Sequence, residues 1–176
     1  MRLALAIALI CAAVAALPAP AAADTVVRSD ERIGTFRVKA DGTLGGAWRA
    51  FGVPSRSVRT SSTTCSVTWA SLGLRIGFYN LGGLPPCGRA TGHFSNAVIT
   101  GCHWRTGKGL RIGDRVMRLR SLYPGARYRA DGNGGEGWWL VTRRNPTGPG
   151  TYPGLLARTR AGFVTALVVR YPAGGD

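Results

Sequence analysis

The chain has 176 residues, 23 Lys plus Arg against 8 Asp plus Glu, a formal charge of +15 and 45% apolar residues. That apolar share excludes a disordered tail, and the length allows one or two small domains. Beyond the N-terminal region no apolar run is long enough to cross a bilayer as a helix.

Arg2 gives a positive start, Leu3 to Ala16 are apolar, and Leu17 to Ala22 bring prolines and small residues. Ala21-Ala22-Ala23 then reads as a small-residue cleavage site, so residues 1–23 are a predicted secretory signal peptide cleaved after Ala23. An uncleaved anchor is the weaker reading because the run is short. A lipoprotein reading fails because Ile10, not a small residue, precedes Cys11. Cleavage leaves three cysteines, Cys65, Cys87 and Cys102, in a secreted or extracytoplasmic chain where disulfides persist. The basic charge is almost all arginine, with Lys39 and Lys108 the only lysines. Its spread along the chain reads as the composition of a GC-rich bacterial genome, and long-range attraction to polyanions follows in any case.

Residues 24–34 read as a polar lead-in, and Thr35 to Val38 as a short strand. Asp41 is a candidate N-cap for a helix over 41–51, with Leu44, Trp48 and Phe51 on one face; Gly45 and Gly46 weaken it, and Gly52 and Pro54 end it. Residues 55–62 read as loop. Cys65, Val67 and Trp69, then Leu74, Ile76 and Phe78, alternate with polar or small positions and predict a hairpin with one apolar face. Asn80 to Ser95 is a long loop, and 96–104 a third strand. After a turn at 105–109 and an extended piece at 110–112, Asp114 is a second candidate N-cap. It opens a helix over 114–123 with Val116, Leu119 and Tyr123 on one face. Strands are predicted around 126–130, 138–144, 155–160 and 163–170. Asn145 to Gly154 is a connection with three prolines, and Ala161-Gly162 a tight turn.

Phe36-Arg37-Val38, Asp41 and a helix ending at Phe51-Gly52 parallel Leu110-Arg111-Ile112, Asp114 and a helix ending at Tyr123-Pro124-Gly125. The expected fold class is therefore α+β: two tandem units, 35–104 and 105–176, each a short helix packed on an antiparallel β-sheet. Gly109-Leu110-Arg111-Ile112-Gly113-Asp114, opening a helix that stops near Tyr123-Pro124-Gly125, resembles the recurring unit of the secreted β-lactamase inhibitor protein family and of the small outer-membrane assembly lipoproteins. The inhibitor family implies a sheet whose open face binds a partner protein. The strong basic charge and the odd mature cysteine count depart from it, so the resemblance carries architecture and no binding residue. Otherwise the chain looks like secreted proteins of GC-rich bacteria.

In a meander, Cys65 near the start of its strand and Cys87 in the loop leaving the next strand lie at the same end, whereas Cys102 lies toward the other. Disulfides need Cα atoms within about 7 Å, so Cys65–Cys87 is the expected pair, with Cys102 unpaired and buried. Cys87–Cys102 is the rival.

Catalytic patterns are sparse. There is no Gly-x-Ser-x-Gly elbow, and His93 and His103 are the only imidazoles. Cys102 and His103 are adjacent, so on a strand they point to opposite faces. No Cys-x-x-Cys or His-Glu-x-x-His suggests a metal, and no cofactor is expected. Asp131-Gly132-Asn133 begins like a calcium loop but lacks its later ligands and reads as a turn. Arg105 to Gly109 lacks the Ser or Thr and the first glycine of a phosphate loop. Trp48, Trp69 and Trp104 suit a core. Trp138 and Trp139 are adjacent, so one faces away from it. With Tyr128, Arg143 and Arg144 they form the candidate contact set, because Trp, Tyr and Arg dominate binding hot spots. The expected function is a secreted, non-enzymatic binding module that recognises a protein or cell-envelope component through a sheet face. The alternatives are a small secreted hydrolase using His93 and a basic polyanion-binding protein.

Overall fold

A computed structural model describes residues 25–130, 136–145 and 148–171. The predicted signal segment, the Asp131–Gly135 part of the glycine-rich turn and Pro146 lie outside the described residues. In chain order the elements are β1 (Val26–Arg28), β2 (Arg32–Ile33), β3 (Phe36–Arg37), α1 (Leu44–Phe51), β4 (Arg56–Arg59), β5 (Thr64–Trp69), a 3₁₀ turn (Ala70–Leu72) and β6 (Leu74–Tyr79). They continue with β7 (His93–Ile99), β8 (Arg105–Thr106), α2 (Val116–Leu122), β9 (Arg127–Ala130), β10 (Glu136–Arg144), β11 (Thr151–Arg160) and β12 (Phe163–Arg170).

The expectation of two tandem helix-on-sheet α+β units is corrected by this arrangement. Strand makes up 47% and helix 13%, in two short helices, so the molecule is mostly β. Eight strands form one antiparallel sheet in the order β4-β5-β6-β7-β12-β11-β10-β9. Four short strands form a second sheet, β3-β2-β1-β8, in which β1 and β8 run parallel. The physical reason lies in the last hairpin. Leu155 to Ala157 and Ala166 to Val169 are buried at every position, so these strands bury both their faces and sit in the interior of a wide sheet rather than at the margin of a small one. β12 pairs with β7 through Leu167↔Ile99, Val168↔Val98 and Val169↔Ala97, which joins the early strands to the late ones.

One face of the long sheet carries the main core. Across it, Trp69, Leu74, Ile99, Leu167, Ala157 and Trp138 stand opposite one another strand by strand. Leu44 and Ala47 of α1, Leu119 of α2, and Val27, Ile33 and Phe36 of the short sheet fill the same cluster. Phe51 of α1 meets Trp69 edge-on at 5.5 Å between ring centroids and Phe36 at 5.9 Å. The apolar stripe read for residues 44–51 thus finds its cover. Trp69 and Trp104 are buried as expected, and their indole N–H groups donate to Gly52 O and Leu72 O. Trp48 is half-buried, with the Arg89 guanidinium 3.7 Å over its ring.

The helix starts differ from the expected caps. Thr43, not Asp41, caps α1: its hydroxyl accepts from Gly46 N at 3.1 Å. Asp41 is held instead by Arg37, whose guanidinium donates to both carboxylate oxygens. The next two helix N–H groups, of Leu44 and Gly45, donate to Gly92 O and Arg89 O, so the long loop after β6 completes the cap. This contact explains the helix-weakening glycines. A Cβ on Gly46 would collide with Asp41 O, and one on Gly45 would stand 3.0 Å from Arg89 O. α2 has Arg115 at its N-cap position with no side-chain cap, while Asp114 accepts from Arg111 N and pairs with Arg118.

The expected disulfide forms: Cys65 and Cys87 are bonded with Cα atoms 5.3 Å apart. Cys102 is free but exposed, which corrects the expectation of a buried thiol. The third strand ends at Ile99 rather than running to Trp104, so Cys102 and His103 occupy a turn. No helix among the described residues is long and apolar enough to cross a membrane.

Replacing both bonded cysteines, Cys65→Ser with Cys87→Ser, opens a 22-residue loop and is expected to cost about 3 kcal/mol, read as a lower urea midpoint. An unchanged midpoint would refute this. The β11–β12 turn places Ala161 at φ 51° before Gly162 at φ 81°. Asparagine tolerates that left-handed conformation better than alanine. Ala161→Asn is therefore expected to raise stability by about 0.5 kcal/mol, and a thermal melt that falls would contradict it.

Candidate functional site

Residues paired directly across antiparallel strands project from the same face, and neighbours along a strand project from opposite ones. The pairing therefore sorts the predicted contact residues. Trp138 pairs with Ala157 and Tyr128, so both aromatics belong to the core-side row; their rings meet at 5.6 Å, and the exposed Tyr128 hydroxyl donates to Glu136. Trp139 pairs with Leu156 and Arg127 and lies on the other face. Arg143 and Arg144 lie further along β10, past two register shifts. The five candidates are thus divided among three places: Tyr128 with Trp138, Trp139 alone, and the two arginines together.

The arginines line a cleft of about 260 Å³ with Asp30, Glu31, Lys39, Tyr152 and Tyr171. Arg143 is occupied there. Its Nε donates to Asp30 Oδ2 at 2.8 Å, and one terminal nitrogen donates to Asp30 Oδ1 at 2.7 Å and Glu31 Oε1 at 3.2 Å. Asp30 is buried. Burial pushes its carboxyl up, and the hydrogen bonds from Arg143 and Ser29 more than offset that, leaving it below the ordinary carboxylate value. Gly154 of β11 makes room for this carboxylate, because a Cβ there would collide with Asp30. The pair ties the short sheet to β10 and β11. A carboxyl held ionised by a forked guanidinium does not act as a general acid near neutral pH.

His93 begins β7, half-buried, its ring 6.1 Å from that of Tyr79. Among the described residues it hydrogen-bonds to no carboxylate, hydroxyl or thiol, so no nucleophile–base–orienter set is built around it. No group of three or more His, Cys, Asp or Glu that would hold a metal exists among the described residues.

The face carrying Trp139 is the more informative surface. One row crosses all eight strands. It begins with Arg56, Thr68 and Arg75 on β4, β5 and β6. It continues with Val98, Val168, Leu156 and Trp139 on β7, β12, β11 and β10. It ends with Arg127 on the edge strand β9. Leu156, Val168 and the nearby Ala166 are buried yet stand apart from the main core cluster. Their burial comes from neighbours on their own face: the Leu156 side chain reaches within 2.8 Å of where Gly137 would carry a Cβ. Arg129, two residues on from Arg127, places its guanidinium 5.4 Å from the Trp139 ring centre. The Trp139 indole nitrogen is buried and has no hydrogen-bond partner among the described residues.

The result is an apolar row four strands wide with guanidinium groups at both ends, in which Val98 and Trp139 are half-buried and Val168 and Leu156 are packed beneath the surface between them. Arg56, Arg75 and Arg127 have no carboxylate partner among the described residues. The five described carboxylates are already engaged: Asp30 and Glu31 by Arg143, Asp41 by Arg37, Asp114 by Arg118, and Glu136 by Tyr128. Of this row, sequence reasoning singled out only Trp139. The missed signals were the Arg75 position inside the alternating β6 pattern and the unbroken apolar runs of β11 and β12.

Comparison with protein-family models, with curated proteins and with solved structures finds no match for this chain.

The Asp30–Arg143 pair gives a pH-dependent prediction. A carboxyl whose folded value lies below its unfolded one stabilises above the unfolded value, and that contribution fades as pH falls through the folded value. Asp30→Asn is expected to cost about 2 kcal/mol at pH 7 in denaturant unfolding. The gap to wild type closes below the ordinary carboxylate range, near pH 3.8 and lower. A gap independent of pH would contradict this.

Proposed function

We propose that this protein is an extracytoplasmic, non-enzymatic binding module whose contact surface is the Trp139 face of the long sheet. The single observation that carries this is the transverse row in which arginines flank the strip Val98–Val168–Leu156–Trp139. Seven strand spacings make that row about 33 Å long. Trp and Arg at its margins are the residue types that dominate protein contacts. The disulfide fits an oxidising compartment. The exported chain is expected to begin at Asp24, checked by N-terminal sequencing of the protein recovered outside the cytoplasm.

The test is capture from an envelope extract of the producing cell with the immobilised chain. Partner recovery is expected to fall at least tenfold with Trp139→Ala and to persist with Met117→Ala, an 80% exposed residue of α2. Equal recovery by all three proteins would refute the assigned face. The unpaired arginines favour a second reading, polyanion binding by bulk charge. It predicts that affinity falls steeply with salt and is indifferent to Trp139.

A further inference from the structure

Beside the apolar strip, on the same face, lies a pocket of about 210 Å³. Its floor is the next transverse row, Ser66 on β5, Gly77 on β6 and Asn96 on β7. Gly77 has no side chain, and a Cβ there would stand 3.0 Å from the Asn96 amide nitrogen, so the missing side chain is what keeps the floor open. Ser95 adds a hydroxyl to the lining and Arg75 a guanidinium, while the Thr64 hydroxyl is bonded to Thr60 and Ser61. Among the described residues no carboxylate lines the pocket. Arg75 is exposed and has no carboxylate partner among the described residues. The Asn96 amide donates only a long bond, 3.4 Å, to Ser95. The pocket therefore gathers hydroxyl and amide donors around one uncompensated positive charge, which is the chemistry that holds an oxyanion.

Resting on the binding-face reading above, we infer that this pocket receives a carboxylate side chain of an acidic partner polypeptide, gripped by Arg75 and the Asn96 amide. Charge complementarity selects that occupant, since the described carboxylates of this chain are spent on internal partners. The adjoining strip selects a polypeptide over a free anion. Its first apolar member, Val98, lies one pleat repeat from Asn96, about 7 Å along the strand. An extended segment with an acid and an apolar residue two positions apart spans the same distance. It places the carboxylate in the pocket and the apolar group on the half-buried Val98.

The experiment titrates the full disulfide-bonded chain with the peptide acetyl-Thr-Glu-Thr-Leu-Thr-amide and follows backbone amide shifts at low salt. Saturable shifts are expected at Ser66, Arg75, Gly77, Asn96 and Val98. Replacing the peptide Glu by Gln is expected to weaken binding at least tenfold, as are Arg75→Gln and Gly77→Ala. Thermal melts of both variants should stay near wild type, because Arg75 is exposed and the alanine methyl needs only a small shift of Asn96. Absence of saturable shifts, equal affinity for the Glu and Gln peptides, or unchanged affinity in Arg75→Gln would overturn the inference. Acetate binding as tightly as the peptide would also overturn it, since the pocket would then be a plain anion site. The two readings fail separately. Partner capture that is lost with Trp139→Ala but intact with Arg75→Gln removes the pocket and keeps the face. Capture insensitive to Trp139→Ala removes the face.

Discussion

The seam between β7 and β12 is the contact on which the rest of the molecule depends. Ile99↔Leu167, Val98↔Val168 and Ala97↔Val169 alternate between the two sides of the sheet. The first and third pairs close the core beneath α1, α2 and the short sheet. The middle pair makes the opposite strip continuous. Without the seam, the early and late strands would each end in an unsatisfied hydrogen-bonding edge, and the row from Arg56 to Arg127 would be two fragments. A one-residue slip of β12 against β7 would carry Val168 into the core and turn Leu167 outward.

The chain spends its few acids and its many arginines in different ways. Each described carboxylate makes a local or lobe-linking contact. Asp30–Arg143 is the long-range one, joining residues 113 positions apart. Arg37 and Arg118 hold acids four residues away, where an exposed pair is worth only a few tenths of a kcal/mol. The guanidinium groups left over on the Trp139 face keep their charge in water while their stems cover apolar surface.

Much of the core side was legible from residue pattern. The period-two alternation of 65–69 and 74–78 has a simple cause, one buried face, and the β5–β6 hairpin follows it. The Cys65–Cys87 pairing followed from strand direction alone, and the splitting of Trp138 from Trp139 from the pleat. The short strands were not legible. β1, β2 and β8 have two or three residues each and exist because Val27, Ile33 and Thr106 are held by the tertiary core. β4, Arg-Ser-Val-Arg and exposed throughout, carries no apolar alternation, and pairing with β5 makes it a strand. The Asp41 cap failed because Arg37 competes for that carboxylate. The fold class failed because a local helix-then-strands pattern says nothing about which distant strands will pair. The candidate face stayed hidden for the same reason: its row takes one residue from each of eight strands.

The crosslinked loop has a further consequence. Residues 89 and 92 supply the oxygens that receive the opening amides of α1, and Cys87 sits just ahead of them. Oxidation of one thiol pair therefore fastens a helix end as well as a strand. While those thiols stay reduced, the segment that finishes α1 is tethered only by its hydrogen bonds and by Arg89 over the Trp48 ring, with no covalent link to the sheet. Closing that crosslink therefore completes the seat of α1 as well as the β5 end of the sheet.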